Sequence, residues 1–319
     1  MAGAEKKVET TYGRLLEMLR HAAGPEIIGY LEDPNVVEIM LNPDSKLWVD
    51  TLSGGRLNTG VVIRPIDAEK VIRLVANSSG AICDEEHPIL SAELPGDGSR
   101  FQGMLPKIVL APTFTIRKKA LHIFTLDNYV EQGIMTVRQK EVIVEAALGK
   151  KNILVVGGTG SGKTTLVNGI LQEISKTGDR IILIEDTVEL QCSAADLVAM
   201  RTRDGAATMN DLLKSTMRLR PDRIVVGEVR GREALTLLKS WNTGHPGGCA
   251  TVHANSAKSG LTRLESLVSE DSVTPQKALI AEAVNVIVFI ERYGHGRRIR
   301  EIVKVNGLKD GEYDLEDVV

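Results

Sequence analysis

The residues best suited to chemistry in this 319-residue chain are Gly157-Gly158-Thr159-Gly160-Ser161-Gly162-Lys163-Thr164, followed by Thr165. Their spacing is G-x-x-x-x-G-K-[ST]. Glycines at these positions let successive backbone N–H groups turn inward around an anion without side-chain strain. A helix starting at Lys163 adds the positive end of its dipole. Lys163 can then reach the outer phosphates of a nucleotide, and the Thr164 hydroxyl can hold a divalent cation that bridges them. The pattern predicts phosphate binding by Gly158, Thr159, Gly160, Ser161, Gly162, Lys163, Thr164 and Thr165.

Hydrolysis at such a loop needs acids at the ends of neighbouring strands, either to hold the cation's shell or to orient water. Ile224-Val225-Val226 reads as one such strand, yet Gly227 stands where an Asp is usual and Glu228 comes next. Ile181–Ile184 reads as another and ends in Glu185-Asp186. Either Glu185 or Glu228 can polarise water with the other near the metal, so the candidate metal ligands are Thr164, Glu185 and Glu228. The competing role for each glutamate is a helix cap or an ion pair. Asp186 suits turn work. In Gly244-His245-Pro246-Gly247-Gly248-Cys249-Ala250-Thr251-Val252-His253, a glycine-rich loop leads into a short strand and then His253. His253 would lie at the carboxyl edge of the sheet, where open α/β folds bind ligands. His245 reads as structural, and His21, His87, His122 and His295 belong to no constellation.

Seven arginines lie between positions 201 and 232: Arg201, Arg203, Arg218, Arg220, Arg223, Arg230 and Arg232. Four acids share the stretch, so much of it reads as a solvated charged face. One or two of these arginines, with Arg218 the candidate, would reach phosphate within the subunit or across an interface. Arg100 and Arg117 are the candidates from the first part of the chain.

The elements that must hold these residues follow from periodicity. Tyr12, Leu15, Leu16 and Leu19 predict an amphipathic helix over 10–20. Strands are expected at Val36–Leu41 and Lys46–Asp50, a helix over Asp67–Ser78, and short strands near Phe101–Leu105 and Thr113–Arg117. Residues 1–125 therefore read as a smaller α+β domain, with 126–136 as a linker. From Thr136, whose Thr-x-x-Gln fits a capping box, β-branched runs alternate with helices. That alternation predicts an α/β domain over 137–319, a mostly parallel sheet with helices on both faces. Val286–Arg292 and Arg298–Val305 flank Tyr293-Gly294-His295-Gly296 as a hairpin.

Composition removes whole classes of function. The chain is 43% hydrophobic and 25% charged, which excludes general disorder. Net charge is −3 and the pI about 6.1, which argues against nucleic acid as a direct partner. Cys83, Cys192 and Cys249 show neither metal-ligand spacing nor a disulfide framework and read as reduced thiols. No apolar run reaches the roughly 18 residues of a membrane span, and the polar start carries no signal peptide, so membrane association would be peripheral.

Four blocks in order, GGTGSGKTT (157–165), IILIEDTVEL (181–190), RLRPDRIVVGEVRG (218–231) and GHPGGCATVHA (244–254), resemble the secretion ATPases of type II and type IV systems. The Arg-Pro-Asp-Arg-Ile and GHPGG runs are most similar to the conjugal-transfer branch. The resemblance implies a RecA-like P-loop domain after a separate N-terminal domain, and a cytoplasmic homohexamer peripheral to the inner membrane. ATP with Mg²⁺ would sit between the two domains and drive a secretion or conjugation apparatus. It further implies Lys163 and Thr164 as phosphate and metal ligands, Glu185 and Glu228 as the acidic pair, His253 as γ-phosphate sensor, and Arg100 and Arg117 as phosphate contacts. Two other classes would leave different signatures: a DNA motor would show turnover stimulated by nucleic acid, and a nucleotide-gated adaptor would bind without turnover.

Overall fold

The computed structural model describes residues 2–51, 54–119, 123–203, 205–272, 274–294 and 296–318, with backbone alone over 2–12. Tyr12, His122 and His295 therefore lie outside the described side chains. The chain forms two compact units, Met1–Leu121 and His122–Val319.

The first unit runs α1 (Ala2–Glu32), β1 (Val36–Leu41), β2 (Lys46–Thr51), β3 (Gly55–Val62), α2 (Pro65–Ser79), β4 (Ile89–Glu93), β5 (Arg100–Met104) and β6 (Thr113–Arg117). Helix α1 is longer than its apolar stripe predicts and is interrupted at Gly24 (φ 76°), where Pro25 restarts it. The strands form one antiparallel sheet in the order β3-β2-β1-β6-β5-β4. One face of it is covered by apolar side chains of both helices: Leu19 and Ile27 from α1, and Ala68, Val71, Ile72 and Val75 from α2. Alternate strand residues (Ile39 and Leu41, Phe101, Phe114 and Ile116) meet them, as the two-residue strand period requires.

The second unit continues with α3 (Leu126–Glu131), α4 (Val137–Leu148), β7 (Ile153–Gly157), α5 (Lys163–Ile174), β8 (Ile181–Glu185), β9 (Leu197–Arg201), α6 (Met209–Thr216), β10 (Arg223–Val226), α7 (Glu233–Asn242), β11 (Cys249–His253), α8 (Ala257–Ser269), α9 (Lys277–Ala283), β12 (Val286–Tyr293), β13 (Gly296–Lys309) and β14 (Glu312–Asp317). Its eight strands are ordered β14-β13-β12-β7-β11-β10-β8-β9. From β12 through β9 every neighbour is parallel, and β13 and β14 add an antiparallel edge. Alternation sorts the strand residues between two cores. Leu154, Val156, Ile182, Ile184, Ile224 and Val226 face α6, α7, α8 and α9. Ile153, Val155, Ile181, Leu183 and Val225 face α3, α4 and α5. The predicted α/β layering is therefore observed.

Two expectations need correcting. Residues 126–136 are not a free linker: α3 begins at a Thr125–Asn128 capping box and buries Leu126 and Tyr129 in the core beside α4 and α5. The polar residues and Gly133 hide a one-turn apolar spacing that is too short to register as periodicity. Strand β9 was also unexpected, because an edge strand needs only one buried face; its pattern is mixed.

Candidate functional site

Strand β7 is buried throughout, and the chain leaves it at Gly157. No side chain fits there: a Cβ would collide with the Ile290 carbonyl and with Ser161 Oγ. Gly160 (φ 68°) and Gly162 (φ 94°) then take left-handed conformations that glycine adopts without strain. Gly162 is the N-cap of α5 and supplies no side-chain cap, so no residue of the cap screens the helix's first N–H groups. Such an end favours an anion. Ser161 Oγ is buried and has no hydrogen-bond partner among the described residues, an orphaned donor within the same loop.

Lys163 is buried and folds back over the loop, donating to the Gly157 and Gly158 carbonyls at 3.1 Å each. Its Nζ also lies 3.4 Å from His253 Nδ1. His253 Nε2 is 2.7 Å from Glu228 Oε1, and Arg230 donates to Glu228 Oε2 at 2.5 Å. Arg230 also stands 3.6 Å from Asp186. Lys163, His253, Glu228–Arg230 and Asp186 thus form one alternating row over the carboxyl ends of β7, β11, β10 and β8, four adjacent strands. Burial, then the Lys163 ammonium, hold the His253 ring below its usual range against the opposing pull of Glu228. The ring is therefore neutral near pH 7. Lys163 Nζ lies almost equally far from the two ring nitrogens, 3.4 Å from Nδ1 and 3.5 Å from Nε2, so the ammonium sits against the ring edge and not on a single nitrogen.

Glu185 sits differently. It is buried, and its Oε1 accepts the backbone N–H groups of Glu189 (2.9 Å) and Leu190 (2.7 Å). Gly227 lies against it, and a Cβ there would stand 3.1 Å from Glu185 Cγ. The missing aspartate thus has a steric reason: the adjoining strand's glutamate fills its space. Asp186 accepts from Thr202 Oγ1, just beyond β9, at 2.9 Å, a bond between neighbouring strand ends and not within its own turn.

Strand direction removes other candidates from this edge. Arg218 is exposed and precedes β10, so it lies toward the opposite, amino edge. Its neighbour Leu219 accepts there from Arg180, just before β8. Arg223 is wholly buried: Nε pairs with Asp179 at 2.7 Å and Nη1 donates to the Ala147 and Gly247 carbonyls. It is structural. The GHPGG run also belongs to that edge. His245 pairs with the Pro221 carbonyl at 2.9 Å, and the Gly247 and Gly248 N–H groups donate to Asn152 Oδ1. Gly248 is required because Trp241 and the Ile224 carbonyl occupy the space of a Cβ.

In the first unit, Arg100 and Arg117 are directly opposed on β5 and β6. The row extends from Glu93 on β4 through this pair to Glu38 on β1 and Asp50 on β2. The two cations stand face to face, with an acid cross-strand from each of them, Glu93 beside Arg100 and Glu38 beside Arg117, which offsets their repulsion.

Two residues near the loop carry no motif signal. Arg292, at the end of β12, stands 3.8 Å from a Cβ built on Gly160, and Arg297, opening β13, stands 2.9 Å from one on Gly162. The hairpin was expected, but its position beside the loop follows only from β12 pairing with β7.

The secretion-system family model described as "Type II/IV secretion system protein" matches residues 26–293. The chain belongs to that family. It is 49% identical over 308 residues to the probable conjugal transfer protein TrbB of Sinorhizobium fredii, covering 96% of this chain and 94% of that one. Type IV secretion system protein VirB11 of Bartonella henselae is 28% identical over 319 residues, covering 86% and 89%. The fold is shared with the Legionella pneumophila ATPase DotB (TM-score 0.62, 19% identity, 87% and 79% covered). It is also shared with the pilus retraction motor PilT (TM-score 0.59, 20% identity, 92% and 81% covered). Among the described residues no helix is long and apolar enough to cross a membrane.

Proposed function

We propose that this chain hydrolyses ATP to drive a type IV secretion or conjugative transfer apparatus, acting as a homohexamer in the cytoplasm at the inner membrane. The observation that carries the reading is the phosphate cradle of 157–165 facing a continuous charged row at one sheet edge. The relatives named for conjugal transfer and type IV secretion set the process.

In this reading the amide end of α5 and Lys163 take the β- and γ-phosphates. Lys163 leaves two carbonyls and gains a charge-assisted partner. His253 then directs its ring to the γ-phosphate, and Glu228, next to it, orients the attacking water. Glu185 stays anchored to its loop and supports the metal's water shell. The donors suit Mg²⁺, which takes hard oxygens and keeps several waters: Thr164 Oγ1, the phosphates, and the carboxylates of Glu185 and Glu228 through water. Mg²⁺ would neutralise charge on the transferring phosphoryl group. Arg100 and Arg117 are the first unit's phosphate contacts, and Arg218, facing away from its own loop, would act only on a neighbouring copy.

Steady-state hydrolysis by the full chain, with ATP-analogue binding and solution mass measured alongside, tests the reading. Lys163→Ala should abolish turnover, and Glu228→Gln should abolish turnover while keeping binding. The non-hydrolysable analogue should favour a sixfold assembly. Turnover retained in either variant would refute the assignment, and turnover that depends on added DNA would favour the DNA-motor class.

A further inference from the structure

Asn168 lies on α5, five residues beyond Lys163, and is buried. Both ends of its amide are engaged by one loop. Oδ1 accepts the Gln191 N–H at 2.8 Å, and Nδ2 donates to the Glu189 carbonyl at 3.1 Å. One partner is a donor and the other an acceptor, so the orientation of the amide is determined. The same loop supplies the Glu189 and Leu190 N–H groups that hold Glu185 Oε1. Leu190 is buried in the core against which α5 packs, which closes the connection.

We infer that Asn168 is a positioning residue that fixes the Glu185 carboxylate relative to the phosphate-binding helix. Residues 189–191 are bonded on one side to the helix that begins with Lys163 and Thr164, and on the other to the acid at the end of β8. A shift of α5 would therefore reach Glu185 through the two hydrogen bonds of the Asn168 amide, with Leu190 packed beside them. At neutral pH, Asn suits both partners at this length. Leu matches the volume and makes neither bond. Ionised Asp accepts from Gln191 but repels the Glu189 carbonyl, while protonated Asp can donate to it. The inference rests on the proposed role of Glu185 in hydrolysis.

A double-mutant cycle on the full chain tests it, reading kcat, KM, analogue binding and Tm for Asn168→Leu, Glu185→Gln and the pair. Asn168→Leu should lower kcat by roughly 10- to 100-fold, the scale expected when a catalytic group is misplaced by up to about 1 Å. KM and analogue binding should stay within about threefold, and in the Glu185→Gln background the further loss in kcat should also be under about threefold, the signature of two residues acting as one unit. If Asn168→Leu does not fold, Asn168→Asp goes through the same cycle, and its kcat relative to wild type should rise as pH is lowered and the buried carboxyl protonates. Equal fold losses in both backgrounds, or a loss confined to Tm, would overturn the inference and leave Asn168 as packing. Wild-type kcat in Glu185→Gln alone would instead show that the reading of Glu185 is wrong, and the inference would fall with it.

Discussion

Gly227 offers the sharpest quantitative test of how this edge is built. In Gly227→Ala the new Cβ would lie 3.1 Å from Glu185 Cγ and 3.5 Å from its Oε1. Carbon atoms pack best at about 3.5–4.0 Å, so roughly half an ångström must be found. Residue 227 cannot supply it, because its N–H donates to the Ile184 carbonyl at 2.9 Å and its own carbonyl accepts from Thr251 Oγ1 at 2.7 Å. Glu185 must move instead, against its two backbone donors. If a displacement of about 1 Å costs a hundredfold, half of that costs about tenfold in kcat. Overpacking costs about 1–3 kcal/mol, and the reduced freedom of the unfolded chain returns about 0.4–1. A net loss near 1 kcal/mol lowers Tm by about 2–4 °C in a unit of this size. Gly227→Asp, which restores the usual residue, should be worse, because a second carboxylate beside Glu185 raises the pKa of the pair. Hydrolysis rates at saturating ATP, with thermal melts on the same samples, read both effects. Unchanged kcat in Gly227→Ala, or wild-type turnover in Gly227→Asp, would refute the reasoning.

The remaining expectations concern charge. Arg223→Ala takes one of three partners from Asp179, strands the Ala147 and Gly247 carbonyls and leaves a cavity, and should cost about 3–5 kcal/mol, a drop in Tm on the order of 10 °C, whereas Arg223→Met should cost less. Burial raises the Asp179 pKa, but hydrogen bonds from Lys150, Arg223 and Thr177 outweigh it and hold the carboxyl at about 2. This is a depressed acid, so its stabilisation is present above its unfolded pKa near 3.9 and is lost as pH falls toward 2; acid melts of Arg223→Ala should show a weaker dependence, with Lys150 and Thr177 keeping the rest. His253 should appear by NMR as a neutral ring at pH 7, titrating below the usual histidine range, and a charged ring at that pH would contradict the row. Arg100→Gln or Arg117→Gln removes one like-charge and one opposite-charge cross-strand neighbour together, so Tm should change little while ATP binding weakens; unchanged KM would remove both as phosphate contacts.

Local signals carried much of the molecule. The loop at 157–165 is legible because backbone geometry, helix dipole and lysine reach each demand a residue type at a fixed place. The buried parallel strands are legible as β-branched runs, and the α4 start as a Thr136–Gln139 capping box, which the structure contains. Residues whose role depends on a neighbouring strand were not legible. Nothing near Glu185 in the chain announces that it fills the space above Gly227, since that follows from β8 lying beside β10. Arg292 and Arg297 reach the phosphate loop only because β12 returns next to β7. Arg223 has the same appearance in sequence as Arg230, yet one is sealed in the interior and the other spans two acids.

Strand polarity accounts for that last difference and sorts the motifs generally. In a parallel sheet, residues following a strand collect at one edge and residues preceding it at the other. Lys163, Glu185, Glu228 and His253 all end or follow strands and lie at one edge. Arg218, Arg223 and the GHPGG run precede or open strands and meet elsewhere, around Asn152, Asp179 and Trp241. A motif such as GHPGGCATVHA therefore runs the length of a strand, from the amino edge of the sheet to its carboxyl edge. Its glycines serve close packing at one edge and its terminal histidine serves chemistry at the other. Substitutions at Gly247 and Gly248 should accordingly act on stability, and those at His253 on turnover, although six residues or fewer separate them in the chain.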